Sequence, residues 1–142
     1  MSDKAFVDTN VLVYAHDLES GDRHTIAARL VAELWKTRRA VISTQVLQEF
    51  YVNATRKIRA PLPRALARQI VNAYAVWQTE IVEPRDIQLA SELEEQHQLS
   101  FWDALIVAAA LKGGASSILT EDMSTGRSLS GVRIENPFAS AR

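Results

Sequence analysis

Short apolar runs alternate with longer amphipathic stretches along most of this chain. Ala5-Phe6-Val7 is a continuous apolar run ending at Asp8, the pattern of a strand buried on both faces. Thr9 to His16 follows as a helix start with Val11, Leu12 and Val13 apolar, and Ser20-Gly21-Asp22 is a turn signal. From Arg23 to Arg39, the residues Ile26, Ala27, Leu30, Val31, Leu34 and Trp35 recur at helical spacing. Ala40-Val41-Ile42 reads as a second strand, and Ser43 or Thr44 caps a helix running to about Lys57. Pro61 and Pro63 break that helix, and another runs from Arg64 to about Trp77.

Glu80-Ile81-Val82 reads as a third strand. Pro84 suits the first turn of a helix that extends to about His97. Ser100-Phe101-Trp102-Asp103 opens the next helix with a capping-box pattern, and Gly113-Gly114 closes it. Ser117-Ile118-Leu119 is a fourth strand and Val132-Arg133-Ile134 a fifth. Strands alternating with helices predict an α/β fold: three layers, with a central parallel sheet of about four to five short strands flanked by helices. One domain over residues 1–135 and a loose tail over residues 136–142 are expected.

Composition narrows the chemistry. The 142 residues are 47% hydrophobic and 23% charged, as in an ordinary globule with one core. There is no cysteine, which excludes disulfides and thiolate metal sites. The segment Met1-Ser2-Asp3-Lys4 lacks a signal-peptide layout, and the longest apolar run, Ala104 to Leu111, is too short to span a bilayer. A cytoplasmic protein with no membrane contact is expected. The net charge of −1 hides an asymmetry: residues 1–70 hold eleven Lys/Arg against seven Asp/Glu, and residues 71–142 hold five against ten. Cations for phosphates and carboxylates for a metal can share one nuclease, although two solvated surfaces give the same count.

In a parallel sheet, ligands bind beyond the carboxyl ends of the strands. Asp8 ends the first strand and Asp122 follows the fourth, while Glu49 and Asp103 lie on helices. Carboxylates gathered on one rim repel unless a cation neutralises them, and hard ions such as Mg²⁺ or Mn²⁺ take oxygen ligands of this kind. Each acid also has a structural reading. Asp8 can cap a helix, Glu49 can pair with Asn53 or Arg56, Asp103 can complete the Ser100 cap, and Asp122 can be a turn residue with Glu121 as its rival.

The motifs resemble those of a known family. Phe6-Val7-Asp8-Thr9-Asn10-Val11-Leu12-Val13 resembles the opening signature of PIN domains. Ser43 to Phe50 resembles the second motif, with Glu49 as its acid. Ser100 to Ala104 resembles the third, and Ile118 to Met123 the fourth, in which the acid stands two residues after Thr120. The resemblance runs through nearly the whole chain and is strongest to VapC-type toxins. It implies a metal-dependent endoribonuclease that uses Mg²⁺ or Mn²⁺ to activate water, with Asp8, Glu49, Asp103 and Asp122 as metal-binding and catalytic acids. It further implies an RNA substrate, a VapB-like antitoxin and a homodimer.

Position adds Thr9, Asn10 and Thr120 as groups that orient the acids. Arg56, Lys57 and Arg59, in the densest basic stretch, are expected to hold RNA phosphates unless they form only a solvated helical face. His16, His24 and His97 form no metal spacing and suit surface or helix-end positions. Phe101 and Trp102 are expected in the core rather than stacked on a base.

Two enzyme-like alternatives compete. A haloacid-dehalogenase-like phosphatase also begins with a strand ending in Asp, but needs a second Asp where Asn10 stands. A response-regulator receiver requires regular βα alternation, which the long helical stretch from Arg23 to Trp77 fits poorly. The remaining alternative is a catalytically silent PIN-like module that binds RNA or protein.

Overall fold

The computed structural model describes residues 3–139. Its elements are β1 (Ala5–Val7), α1 (Thr9–His16), α2 (Asp22–Thr37), β2 (Ala40–Ser43), α3 (Thr44–Arg56), α4 (Arg64–Tyr74), β3 (Gln78–Glu80), α5 (Pro84–His97), α6 (Phe101–Lys112), β4 (Ser117–Leu119), β5 (Ser128–Leu129) and β6 (Val132–Glu135). The strands lie in the order β3-β2-β1-β4-β6-β5. Every neighbouring pair is parallel except β5 with β6. Every residue of β1, β2 and β4 is buried, because helices cover both faces of a parallel sheet. Helix α6 is apolar on all sides, with Ala104 to Ala110 buried, and it packs on β2, β4 and β6.

The chain order creates the site. From β1 the chain steps outward to β2 and β3, then returns to lay β4 on the other side of β1. Beyond the carboxyl ends of β1 and β4, the connections diverge and leave a crevice. The two strand ends stay locked together there, since the Asp8 N–H donates to the Leu119 carbonyl at 3.0 Å.

Three expectations are corrected. The third strand is Gln78–Glu80, not Glu80–Val82; Ile81 is 65% exposed. It is an edge strand with partly exposed side chains, so its position follows from pairing with β2 rather than from an apolar run. A sixth strand, β5, pairs antiparallel with β6 through a tight turn at Ser130 and Gly131, whose φ angles are +53° and +90°. Two positive φ angles suit a two-residue hairpin, and the Ser-Gly pair is its sequence signal.

The third correction concerns the loose tail. Phe138 is only 2% exposed and meets the Tyr14 ring edge-on, with centroids 5.2 Å apart. Residues 140–142 of that tail lie outside the described residues. Phe138→Ala should lower unfolding stability by about 3 kcal/mol, the usual cost of emptying a buried phenylalanine site. Urea titration measures it, and a change below about 0.5 kcal/mol, typical of exposed positions, would return the segment to a loose tail.

Candidate functional site

Asp8 sits where β1 ends and α1 begins. Its carboxylate caps α1 by accepting the Thr9 N–H at 2.7 Å, and it accepts the Thr120 hydroxyl at 2.7 Å. Only 5% of Asp8 is exposed. The capping reading of Asp8 is therefore correct, yet it leaves the second oxygen facing β4. Thr120 works in both directions. Its hydroxyl donates to Asp8 and accepts the Asp122 N–H at 3.0 Å, which fixes the loop that carries Asp122.

Glu49 reaches the same place from α3. It accepts the Thr9 hydroxyl at 2.7 Å and the Gln45 amide at 3.2 Å, rather than pairing with Asn53 or Arg56. Asn10 donates its amide to Asp122 at 2.9 Å. Asp103 stands in the first turn of α6, whose cap is Ser100. A cleft of about 270 Å³ results, lined by Asp8, Glu49, Asp103 and Asp122 together with Asn10 and Lys57.

Burial and mutual repulsion govern the charge state of these acids. Burial pushes Asp8 from 3.8 up to about 6, against the Thr120 and Thr9 hydrogen bonds, with Asp122 and Glu49 adding repulsion. Asp103 is raised by burial and then by Glu49. Asp122 is raised by burial and then by Asp103, Glu121 and Glu49. Such a set of hard oxygen donors in a cleft fits a divalent cation. The described residues include no group of three or more His, Cys, Asp or Glu side chains already arranged as a ligand cluster.

Glu121 is separated from its rival by its neighbours. Tyr14 and Arg23 both donate to its carboxylate, Arg23 at 3.0 Å, so it is held on α1 and α2 while Asp122 lines the cleft. Of the expected phosphate contacts, Lys57 lines the cleft. Arg59 instead lies 4.0 Å from Glu19, and Arg56 is exposed at the end of α3.

The histidines stay outside the cleft. His16 is half-buried and bonded to the Tyr74 hydroxyl at 2.7 Å, with burial lowering its pKa. Trp102 corrects the core expectation: it is 63% exposed and lines the cleft. Gln45 also lines the cleft, and so does Asn53, which the sequence offers only as a partner for Glu49; each lies four residues from Glu49, which puts both on the Glu49 face of α3.

Asp8 makes stability depend on pH when a chelator keeps divalent ions away. Between pH 3.8 and about 6, the folded chain keeps a proton that the unfolded chain has lost. Stability should therefore fall as pH rises through that window, by roughly 3 kcal/mol, and level off above it. Urea titrations in EDTA from pH 4 to 8 measure the fall. Asp8→Asn should remove most of it, and a wild-type stability that climbs through pH 6 would contradict the site's electrostatics.

Comparison with known proteins bears on the same residues. A family model for the PIN domain matches residues 5–124. No curated protein matches the chain. Among solved structures, the Mycobacterium tuberculosis toxin VapC20, described as cleaving the sarcin–ricin loop, is 25% identical, with a TM-score of 0.65 over 84% of this chain and 92% of that one. A toxin–antitoxin complex from Klebsiella pneumoniae gives 22% identity and a TM-score of 0.68 over 94% and 98%. VapBC2 from Rickettsia felis, bound to promoter DNA, gives 17% and 0.62 over 93% and 97%. The last two speak to the fold alone. The family match runs from β1 through the loop after β4 and takes in all four acids, and the chain belongs to the PIN-domain family.

Proposed function

We infer that this chain is a metal-dependent endoribonuclease, the VapC-type toxin of a toxin–antitoxin pair, acting in the cytoplasm as a homodimer restrained by a VapB-like antitoxin. The observation that carries the reading is the single cleft lined by Asp8, Glu49, Asp103 and Asp122, with Asp8 raised to about 6. The family match and the likeness to a toxin described as cleaving the sarcin–ricin loop support it. Asn10 argues against the phosphatase alternative. It donates an amide hydrogen to Asp122, where an aspartate would add repulsion.

Asp8, Glu49, Asp103 and Asp122 are the groups that would hold Mg²⁺ or Mn²⁺. Such an ion supplies charge to a phosphodiester and lowers the pKa of water. Thr120 and Thr9 orient Asp8 and Glu49 through their hydroxyls, and Asn10 orients Asp122. Lys57, at the cleft's edge, is suited to a neighbouring phosphate.

Asp103→Asn tests the reading. Cleavage of RNA should fall by orders of magnitude and stop in EDTA for the wild type. Melting in EDTA should be unchanged or higher in the variant, because a repelling charge is gone, while the gain from added Mg²⁺ should shrink with the weakened site. If Asp103 served only the Ser100 cap, the variant would melt lower in EDTA and gain as much from Mg²⁺ as the wild type. Glu121→Gln serves as the contrast, since its carboxylate is turned to Tyr14 and Arg23; it should keep more activity than Asp122→Asn.

The basic residues separate by salt dependence. Lys57→Gln should flatten the log–log dependence of RNA affinity on salt by about 0.7, the slope of one single-strand phosphate contact. Arg59→Gln should change it less, because Arg59 faces Glu19. Equal slopes for wild type and Lys57→Gln would make Lys57 a solvated side chain.

A further inference from the structure

A second groove opens beside the acidic cleft and shares two of its residues. It measures about 460 Å³ and runs between the starts of α3, α5 and α6. Gln45 and Trp102 line both hollows. Val82, Ile87, Phe101 and Leu105 give the groove apolar walls, while Thr44, Gln45 and Gln48 bring hydroxyl and amide groups to its edge. Among the described residues, no charged side chain lines it. One hollow therefore suits an ion and an anion, and the other suits a flat neutral group with hydrogen-bonding edges.

Trp102 forms the wall between them and is oddly placed for a core residue. It is 63% exposed, and Ile87 across the groove is 49% exposed. Large apolar surface left to water at a groove is a mark of binding. The ring is also held. Phe101 meets it edge-on, with centroids 5.2 Å apart and planes at 78°. The Trp102 backbone carbonyl accepts the Gln45 amide at 3.3 Å, and the same amide nitrogen donates to Glu49. One side chain thus ties the aromatic platform to an acid of the cleft.

We propose that Trp102 and the neutral groove behind it bind an unpaired nucleobase next to the phosphate held at the acidic cleft. Successive nucleotides alternate a charged phosphate with a neutral aromatic base, matching the alternation from Asp103 to Trp102. The base lies on the indole face, and its edge faces the amides and hydroxyl of Gln45, Gln48 and Thr44. A duplex keeps its bases stacked on one another, so the site selects single-stranded segments and loops. The inference rests on the ribonuclease reading, which it narrows to unpaired RNA.

A cycle of two changes tests it, one in the protein and one in the RNA. A labelled single-stranded oligoribonucleotide is compared with the same strand carrying an abasic residue beside the cut. Both are tested with wild type, Trp102→Phe and Trp102→Ala, with thermal melts to confirm folding. Cleavage is measured in Mg²⁺, and binding separately by fluorescence anisotropy in Ca²⁺. Trp102→Ala should raise KM and Kd roughly tenfold to a hundredfold, the effect of losing one base–aromatic stack, and Trp102→Phe should recover most of it. The abasic strand should cost wild type a similar factor and cost Trp102→Ala little more, because both changes remove the same contact. Unchanged KM and Kd in Trp102→Ala, or fully additive losses, would overturn the subsite and leave the exposed ring to a protein partner. Binding without cleavage by wild type would sink the ribonuclease reading alone, with the Kd cycle still deciding the subsite. A wild type that neither binds nor cuts would sink both.

Discussion

The hydrogen bond from Thr120 to Asp8 joins the first strand of the chain to the fourth at the point where a parallel sheet opens a crevice. The sheet puts Asp8 there, and burial makes its charge costly. Two hydrogen bonds and the start of α1 offset part of that cost, but Asp122 and Glu49 add to it. The surrounding architecture can be read as supplying those neighbours. Helix α3 brings Glu49, α6 brings Asp103, and the Glu121 carboxylate held by Tyr14 and Arg23 leaves Asp122 turned to the cleft. An acid so placed is poorly served by its own fold and well served by a cation.

Periodicity made most of the elements legible. β1, β4 and α5 have the limits that their apolar runs and Pro84 suggest. A run buried on both faces carries its own signal. β3 does not, because an edge strand with exposed side chains is defined by its partner β2. β5 has two residues, too few for any period to register. Phe138 reads as part of a tail because a residue that packs on it, Tyr14, comes from the far end of the sequence.

The acids were legible as ordered motifs, but their surroundings were not. Nothing near Glu121 in sequence indicates that Arg23, 98 residues away, takes its carboxylate. Nothing near Trp102 indicates its exposure either. Past Asp103, the α6 residues Ala104 to Ala110 are apolar and buried, and an aromatic in such a helix normally points inward. It faces out because it stands in the first turn, where α6 emerges beside α3 at the crevice. The structure thus relocates this residue from the core to the boundary between a charged cleft and a neutral groove.

The central claim is that the raised acids form a cation site whose filling expels a proton. Calorimetric titration of Mn²⁺ into the chelator-treated protein, repeated in two buffers of different ionisation enthalpy, counts that proton directly. With Asp8 near its midpoint at pH 6, about half a proton should leave Asp8 per ion bound. By pH 8 the release should vanish, and at pH 6 it should be smaller in Asp8→Asn, where only the raised Asp103 and Asp122 remain to contribute. Mn²⁺ that fails to bind, or that binds at pH 6 with no difference between the buffers, would contradict the account.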